Sequence, residues 1–119
     1  MSLTKYLLTL FLSALMVGSY SVVATHTGLA SWYNPDLVAC GRIISNGELV
    51  TALNQEDFSD FENCDRIVQV NYQGRSIRVQ VVDECFGCGL GGMDLSQAAF
   101  ELLTGNLGLG IVPIEWEYV

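Results

Sequence analysis

The feature that most constrains the fold of this chain is a pair of alternating segments joined by a two-residue turn. The segments RIVQVNY (66–72) and RSIRVQVVD (75–83) flank Gln73-Gly74. The aliphatic members of the second segment are Ile77, Val79 and Val81, and polar residues separate them. A period of two indicates strands with one buried and one wet face. The pattern therefore predicts an antiparallel β-hairpin.

Three further segments predict short strands. They are GLASWY (28–33), which ends at the turn signal Asn34-Pro35-Asp36, then GELVTAL (47–53) and IVPIEWEYV (111–119). Pro113 cannot donate to a β-ladder, so it is expected at an edge or a bulge. The acidic stretch 54–65 contains Phe58 and Phe61 three residues apart and predicts one helical turn at most.

The segment LSQAAFELL (95–103) predicts a helix that Gly105 ends. The residues expected on its apolar face are Leu95, Ala98, Ala99 and Leu102. Five or six short strands with one helix predict a mainly β fold, a small closed barrel rather than a sandwich.

The first 24 residues predict a secretory signal. Lys5 precedes an apolar run of signal-peptide length, and Val22 and Ala24 form a small-x-small cleavage pattern. We therefore expect an extracellular protein with one domain, residues 25–119. An uncleaved membrane anchor is the alternative, and it is disfavoured because no stop-transfer charges follow the apolar run.

Four cysteines lie in the expected domain, and an even number in a secreted chain predicts two disulfides. They are Cys40, Cys64, Cys85 and Cys88. Three pairings are possible, and the spacing does not choose among them. A zinc site usually has two close pairs, whereas here only Cys85 and Cys88 are close, so neither a metal nor another cofactor is expected. A thioredoxin-like role also lacks its βαβ context.

Residues 25–119 are strongly acidic. They carry four arginines, no lysine and all thirteen acidic residues, so their formal net charge is −9. This balance argues against nucleic acid and anionic membranes, which require clustered positive charge. It suits a neutral polysaccharide or a basic protein surface, and equally the solubility of a secreted protein.

Two carboxylates are candidate site residues. Asp94 stands three residues before Gln97, as the first residue of a capping box does, and this structural role is the favoured interpretation. Asp83 ends a predicted strand, where a carboxylate is less often structural. Two carboxylates in one groove could protonate a leaving oxygen and polarise a second group.

The aromatic residues are candidates for a sugar-binding platform. They are Trp32, Tyr33, Tyr72, Phe86 and Trp116. Trp116 is expected in the core, and of the neighbours Trp32 and Tyr33 one must face inward and the other outward. His26 is the only histidine, so the chain lacks serine–histidine or cysteine–histidine machinery. We expect His26 to be a solvated terminal residue.

The motifs ASWY, ACG, LVTALN, NCDRIVQV, VQVVDECFGC, MDLSQAAFELL and IEWEYV occur together and in order. In this set the chain resembles the RlpA-like double-psi β-barrel of expansins, and most of all the small single-domain fungal loosenins. The resemblance implies a six-stranded double-psi barrel with one or two short helices. It favours the disulfide Cys40–Cys64 and leaves Cys85–Cys88 as a local bridge, with the other two pairings open.

The resemblance also implies a site. Ser31, Asp83 and Asp94 match the groove residues of expansins, and Asp94 matches the general acid of the endoglucanases that share this barrel. In those enzymes a base follows the first strand, where this chain has Pro35, with Asp36 one step beyond, so hydrolysis is not expected. The histidine of lytic transglycosylases is also missing. No second carbohydrate-binding domain follows the barrel motifs, so tight cellulose binding is not implied.

Three hypotheses follow. The leading one is a monomeric, secreted, non-hydrolytic protein that binds cell-wall polysaccharide (cellulose, chitin or a related glycan) and loosens it. In this hypothesis Asp94 contacts a glycan oxygen, Asp83 and Ser31 orient it, and Trp32 or Tyr33 stacks on a sugar. The second is a protein-binding module, such as an inhibitor of papain-type proteases or a barwin-like protein. The third is a glycosidase that uses Asp36 and Asp94.

Overall fold

The structure, a computed structural model, describes residues 25–119. The predicted signal segment and its cleavage site before Thr25 lie outside these residues. The strands are β1 (His26–Tyr33), β2 (Val50–Asn54), β3 (Ile67–Tyr72), β4 (Arg75–Cys85), β5 (Met93–Ser96) and β6 (Val112–Tyr118). The helices are α1 (Gln55–Phe58), α2 (Gln97–Thr104) and a 3₁₀ turn, Leu107–Leu109. Neither α-helix within 25–119 has the length and apolar character that crossing a bilayer requires.

The six strands close into a barrel in the order β1-β5-β2-β4-β3-β6. The pairs β1–β5 and β2–β4 are parallel and the other four are antiparallel. This mixed, closed barrel confirms the predicted fold class. Closure pairs each of the six described strands with a neighbour on both sides over part of its length, so none of them is an edge strand.

The hairpin of the sequence prediction is β3 and β4. Its turn residues Gln73 and Gly74 both have positive φ, 44° and 80°, as a two-residue type I′ turn requires. The predicted inward residues Ile77, Val79 and Val81 are all buried. Trp116 is fully buried, as predicted, and it is the largest side chain of the core.

Pro113 lies at an edge position, as predicted, because this part of β6 pairs with β1 but not with β3. It stands opposite Leu29 of β1, whereas the pairs between β6 and β3 begin only at Glu115. Its missing N–H therefore interrupts no hydrogen bond to β3.

The start of helix α2 differs from the prediction. Ser96 caps the helix and accepts a hydrogen bond from the Ala99 N–H, whereas Asp94 belongs to β5 and is no cap. The capping-box interpretation of Asp94 is therefore wrong. A serine is as good a cap as an aspartate, and pairing of Met93–Ser96 with β1 and β2 extends the strand to Ser96. Gly105 ends the helix, as predicted.

The buried face of α2 differs from the predicted one, and the helix begins only at Gln97. Ala99, Phe100 and Leu103 are buried, whereas Leu102 is 55% exposed. Leu95 is buried as predicted, but as a residue of β5.

The structure also corrects the expectation for His26. Its ring stacks on Trp116 with centroids 4.0 Å apart, and its Nε2 lies 3.6 Å from an oxygen of Asp57. The side chain is only 30% exposed, so it is not the solvated terminal residue that we expected. The alternation of β1 places it on the inward face, where the aromatic residues of β6 cover it.

The disulfides are Cys40–Cys64 and Cys85–Cys88, the pairing that the resemblance favours. The second lies at the start of the loop between β4 and β5, residues 86–92, and this loop is fixed to the barrel at its far end. The Trp116 indole donates to the Gly91 carbonyl (2.8 Å), and the Asn54 amide donates to the Gly92 carbonyl (3.0 Å). The backbones at Gly28 and Gly91 pack closely together, since a Cβ on Gly28 would lie 2.3 Å from the Gly91 carbonyl and one on Gly91 would lie 1.9 Å from the Thr27 carbonyl oxygen.

Candidate functional site

Four residues stand in register across four adjacent strands. Ser31 of β1 is opposite Asp94 of β5, which is opposite Ala52 of β2, which is opposite Asp83 of β4. Residues directly opposite each other in a sheet point to the same face. The neighbours Ala30, Leu53, Met93 and Leu95 fill the core. The row of four therefore faces outward, and the register brings together three residues that the resemblance implicates.

A β-bulge in β4 sets the direction of Asp83. Thr51 is opposite Val81, but the next residue of β2, Ala52, is opposite Asp83, so Val82 is the extra residue. Strict alternation would have turned Asp83 inward with Val79 and Val81. The bulge shifts the alternation by one residue, and Asp83 faces outward.

The Asp94 carboxylate is half-buried, and one of its two oxygens accepts a hydrogen bond from another described residue. Ser31 Oγ donates a hydrogen bond to Oδ1. Cys85 Sγ lies 3.5 Å from Oδ2, and because this sulfur is bridged to Cys88 it has no hydrogen to donate. The backbone is fixed as well, since the buried Thr51 hydroxyl donates to the Asp94 carbonyl at 2.9 Å. One carboxylate oxygen thus remains free to accept a hydrogen bond from a ligand.

Asp94 lines an open cleft with a volume of about 490 Å³, called here the Asp94 cleft. Ser31 and the bridged pair Cys85–Cys88 line it too. Its apolar walls are three exposed side chains, Leu29 (54%), Phe86 (73%) and Ile111 (57%). A cleft that places one carboxylate among exposed apolar surfaces suits a ligand with alternating apolar and hydroxyl faces, as a sugar has.

Asp83 is held by hydrogen bonds from residues outside the Asp94 cleft. Its oxygens accept hydrogen bonds from the Tyr33 hydroxyl (2.9 Å) and from the Ala39 N–H (2.9 Å). Burial of the phenol, reinforced by the hydrogen bond and the charge of Asp83 and by the charge of Asp94, raises the pKa of Tyr33 well above its ordinary value. Tyr33 therefore stays protonated and donates to Asp83, and Asp83 is not among the residues that line the Asp94 cleft.

The two adjacent aromatic residues of β1 take opposite sides of the strand, as predicted. Trp32 packs against the core and donates from Nε1 to the Leu107 carbonyl at 3.0 Å. Trp32 is the inward member, so it offers no stacking platform on the outer face. Tyr33 is the outward member, and Phe86 is the aromatic ring on the rim of the Asp94 cleft.

Sequence reasoning missed Leu29 and Ile111 as residues of the cleft. Alternation along GLASWY offered a signal for Leu29, because an outward-facing leucine two residues before Ser31 is an exposed apolar side chain beside the predicted groove. Ile111 lies just before β6, and extending the alternation of Val112 and Ile114 by one residue would have predicted its outward direction.

Asp36 and the cysteines do not extend the chemistry of the cleft. Asp36 is exposed in the loop after β1, where its carbonyl accepts from the Ile44 N–H, and it does not line the Asp94 cleft. Cys85, Cys88 and Asp94 are close enough together to surround a metal ion, but the two sulfurs are bridged to each other. A metal site would need thiolates, so this donor set does not fit one.

Comparison with known proteins agrees with this barrel. A family model of the double-psi β-barrel, described as "Lytic transglycolase", matches residues 25–116. The chain belongs to this family. Two curated relatives are an "Allergen Asp f 7 homolog" of Arthroderma benhamiae, 34% identical over 111 residues, and a "Papain inhibitor" of Streptomyces mobaraensis, 49% identical over 53 residues. These matches cover 78% and 44% of this chain, but only 38% and 36% of the relatives.

Solved structures of other proteins contain the same barrel. An expansin of Clavibacter michiganensis superposes with a TM-score of 0.73 at 29% identity, over 81% of this chain and 50% of the expansin. A mutant of that expansin has been solved in complex with cellohexaose, and it superposes with a TM-score of 0.72. A Streptomyces papain inhibitor superposes with a TM-score of 0.71 at 33% identity, over 81% of this chain and 94% of the inhibitor.

Proposed function

We propose that this is a secreted, expansin-like protein that binds a cell-wall polysaccharide in the Asp94 cleft and loosens contacts between glycan chains without hydrolysis. The observation that carries the proposal is the Asp94 carboxylate, which accepts a hydrogen bond from Ser31 and lines a cleft with exposed apolar side chains. The related expansin structure in complex with cellohexaose supports a glycan as the ligand. The two disulfides fit an extracellular location.

In this proposal Asp94 accepts a hydrogen bond from a sugar hydroxyl through its free oxygen. Phe86 is the ring on which a sugar face packs, and Leu29 and Ile111 border the chain. Asp83 and Tyr33 keep the loop after β1 in place through the Ala39 N–H. Binding a glycan chain here competes with its contacts to neighbouring chains, which is the loosening step.

In this proposal the glycosidic bond is not hydrolysed, and the roles of the carboxylates support this. Inverting hydrolysis requires an acid and a second carboxylate that activates water across the scissile bond. Asp83 is engaged by Tyr33 and Ala39, and Asp36 lies outside the cleft. Asp94 is thus the one carboxylate among the described residues that line the cleft, and no partner base completes the pair.

The test is a binding assay of the purified chain on insoluble cellulose, chitin and peptidoglycan, with Asp94→Asn and Asp36→Asn compared. Both substitutions remove one negative charge, but only Asp94 lies in the cleft. We expect at least one glycan to retain the wild type and Asp36→Asn and to release Asp94→Asn. Equal retention of the two variants, or no retention on any glycan, would overturn the proposal, and reducing sugar released only while Asp36 is present would indicate a hydrolase.

A second candidate function is inhibition of a papain-type protease. The specific observation in its favour is the match to the Streptomyces papain inhibitor, which covers 94% of that protein. Loop 86–92 also offers a protein partner two exposed apolar side chains, Phe86 (73%) and Leu90 (79%), on a backbone fixed by a disulfide. Inhibition of papain that Asp94→Asn leaves unchanged and Phe86→Ala weakens would favour this function over glycan binding.

A further inference from the structure

A second cleft lies beside the β3–β4 hairpin, and it is called here the hairpin cleft. Its volume is about 480 Å³, nearly that of the Asp94 cleft. Its lining includes Thr27, Asn71, Tyr72, Pro113 and Glu115. The proposed function assigns no role to this cleft.

Strand β1 connects the two clefts. Thr27, Leu29 and Ser31 alternate onto its outward face, since Ala30 between them is fully buried. Thr27 lines the hairpin cleft, whereas Leu29 and Ser31 line the Asp94 cleft. The four residue steps from Thr27 to Ser31 span about 13 Å of extended strand. The clefts therefore follow one another along a single strand.

The clefts also share a wall. Leu29, in the Asp94 cleft, stands directly opposite Pro113, in the hairpin cleft, in the β1–β6 ladder. Side chains directly opposite in an antiparallel pair have Cβ atoms about 5 Å apart on the same face. Both side chains are exposed, so the wall between the clefts is a low apolar ridge.

The hairpin cleft offers the side-chain types that bind neutral sugars. Thr27, Glu115 and Asn71 stand in register across β1, β6 and β3, so a hydroxyl, a carboxylate and an amide follow one another at the strand spacing of about 4.8 Å. The side-chain oxygen of Asn71, Oδ1, accepts hydrogen bonds from the side chains of Gln69 and Ser76. This leaves the N–H groups of the Asn71 side chain as donors. Tyr72 and Pro113 add apolar surface beside this row.

The charge of the hairpin cleft narrows the class of ligand that it can bind. Among the described residues that line the hairpin cleft there is one carboxylate, Glu115, and no lysine or arginine. A phosphorylated or uronic ligand would meet negative charge without a compensating base, whereas the hydroxyls of a neutral glycan would find acceptors.

We infer that the hairpin cleft is a second sugar subsite, and that one neutral polysaccharide chain lies along β1 from the Asp94 cleft over the Leu29–Pro113 ridge to Glu115. This inference rests on the proposed function and specifies the ligand further. The protein then recognises an extended stretch of several sugars, and affinity rises with chain length until both clefts are filled.

The test is calorimetric titration with cello-oligosaccharides and chito-oligosaccharides from disaccharide to hexasaccharide. For the wild type we expect the hexasaccharide to bind more tightly than the disaccharide. Glu115→Ala should weaken hexasaccharide binding by about three- to tenfold, the effect of one lost hydrogen bond, and leave disaccharide binding unchanged.

The matched control is Glu117→Ala, which removes the same side chain two residues further along the same face of β6. Glu117 stands opposite Gln69, outside the hairpin cleft. We expect it to bind every oligosaccharide like the wild type. Affinity independent of chain length, or equal effects of the two variants, would overturn the second subsite while disaccharide binding still supports the Asp94 cleft. No binding of any oligosaccharide would overturn the second subsite, and it would overturn the Asp94 cleft as well when peptidoglycan also fails to retain the wild type.

Discussion

Asp83 and Asp94 lie on either side of Ala52, in the two strands that pair with β2. Their backbones are therefore two strand spacings apart, about 10 Å, and both side chains point out of the barrel. Outward side chains on a curved barrel diverge. We therefore expect the carboxyl groups to lie farther apart than the roughly 5 Å of a retaining glycosidase pair. The two acids share a face but have different contacts. Asp83 accepts a hydrogen bond from Tyr33, whereas Asp94 lines the cleft.

The first prediction concerns the helix cap. Ser96 is buried, its hydroxyl donates to the Glu48 carbonyl (2.7 Å), and it accepts from the N–H groups of Val50 and Ala99 (both 3.3 Å). Ser96→Ala should lower the free energy of unfolding by about 2 kcal/mol, since it removes a cap and leaves buried backbone groups unpaired. Asp94→Asn should lower it by less than about 1 kcal/mol, because Asp94 is not the cap. Urea denaturation measures both, and the reverse order would assign the cap to Asp94.

The helix start illustrates where the sequence was ambiguous. MDLSQ contains two good caps two residues apart, Asp94 and Ser96, and local preference cannot separate them. Pairing of β5 with β1 and β2 decides the matter, and these partners are distant in sequence. The direction of Asp83 is unpredictable for a similar reason, because only the register with β2 reveals the bulge at Val82. His26 was misjudged because its stacking partner Trp116 lies at the other end of the chain.

What could be predicted depends on local patterns or on the family motifs. The hairpin around Gln73-Gly74 needs only alternation and a turn, and both are local. The closed barrel followed from the number of short strands, and the disulfide pairing came from the resemblance alone. Asp83 and Asp94 are candidates from the sequence alone, Ser31 comes only from the family motifs, and the structure adds the hydrogen-bond partner of each carboxylate.

The second prediction concerns pH. A tyrosine whose pKa is raised in the folded state stabilises the protein below the pKa of unfolded tyrosine, about 10, and this stabilisation is lost as the pH rises above it. Burial and Asp83 raise the pKa of Tyr33, so we expect the free energy of unfolding to fall above pH of about 10. Tyr33→Phe should be less stable at neutral pH, because it loses the hydrogen bond to Asp83, and should show a smaller alkaline decrease. An equal decrease in the wild type and Tyr33→Phe would contradict this role.

The third prediction separates the two disulfides. Cys40–Cys64 spans 24 residues and Cys85–Cys88 only 3, so chain entropy assigns the longer bridge about 2 kcal/mol more stability. The double variant Cys40→Ser/Cys64→Ser should therefore be the less stable one in urea. Glycan binding should show the opposite order, because Cys85 and Cys88 line the Asp94 cleft and hold Phe86 on its rim. Finding that the same double variant is worse in both assays would contradict this division.

The contact between Gly28 and Gly91 determines which positions of loop 86–92 tolerate substitution. A methyl group on either residue would collide with backbone atoms of the other segment, so both positions admit glycine alone. Gly87 and Gly89, in contrast, have open space where a side chain would go. The loop thus has a fixed base and a free tip. If the loop contacts a ligand as proposed, substitutions at the tip around Phe86 and Leu90 should alter specificity while the barrel beneath keeps its shape.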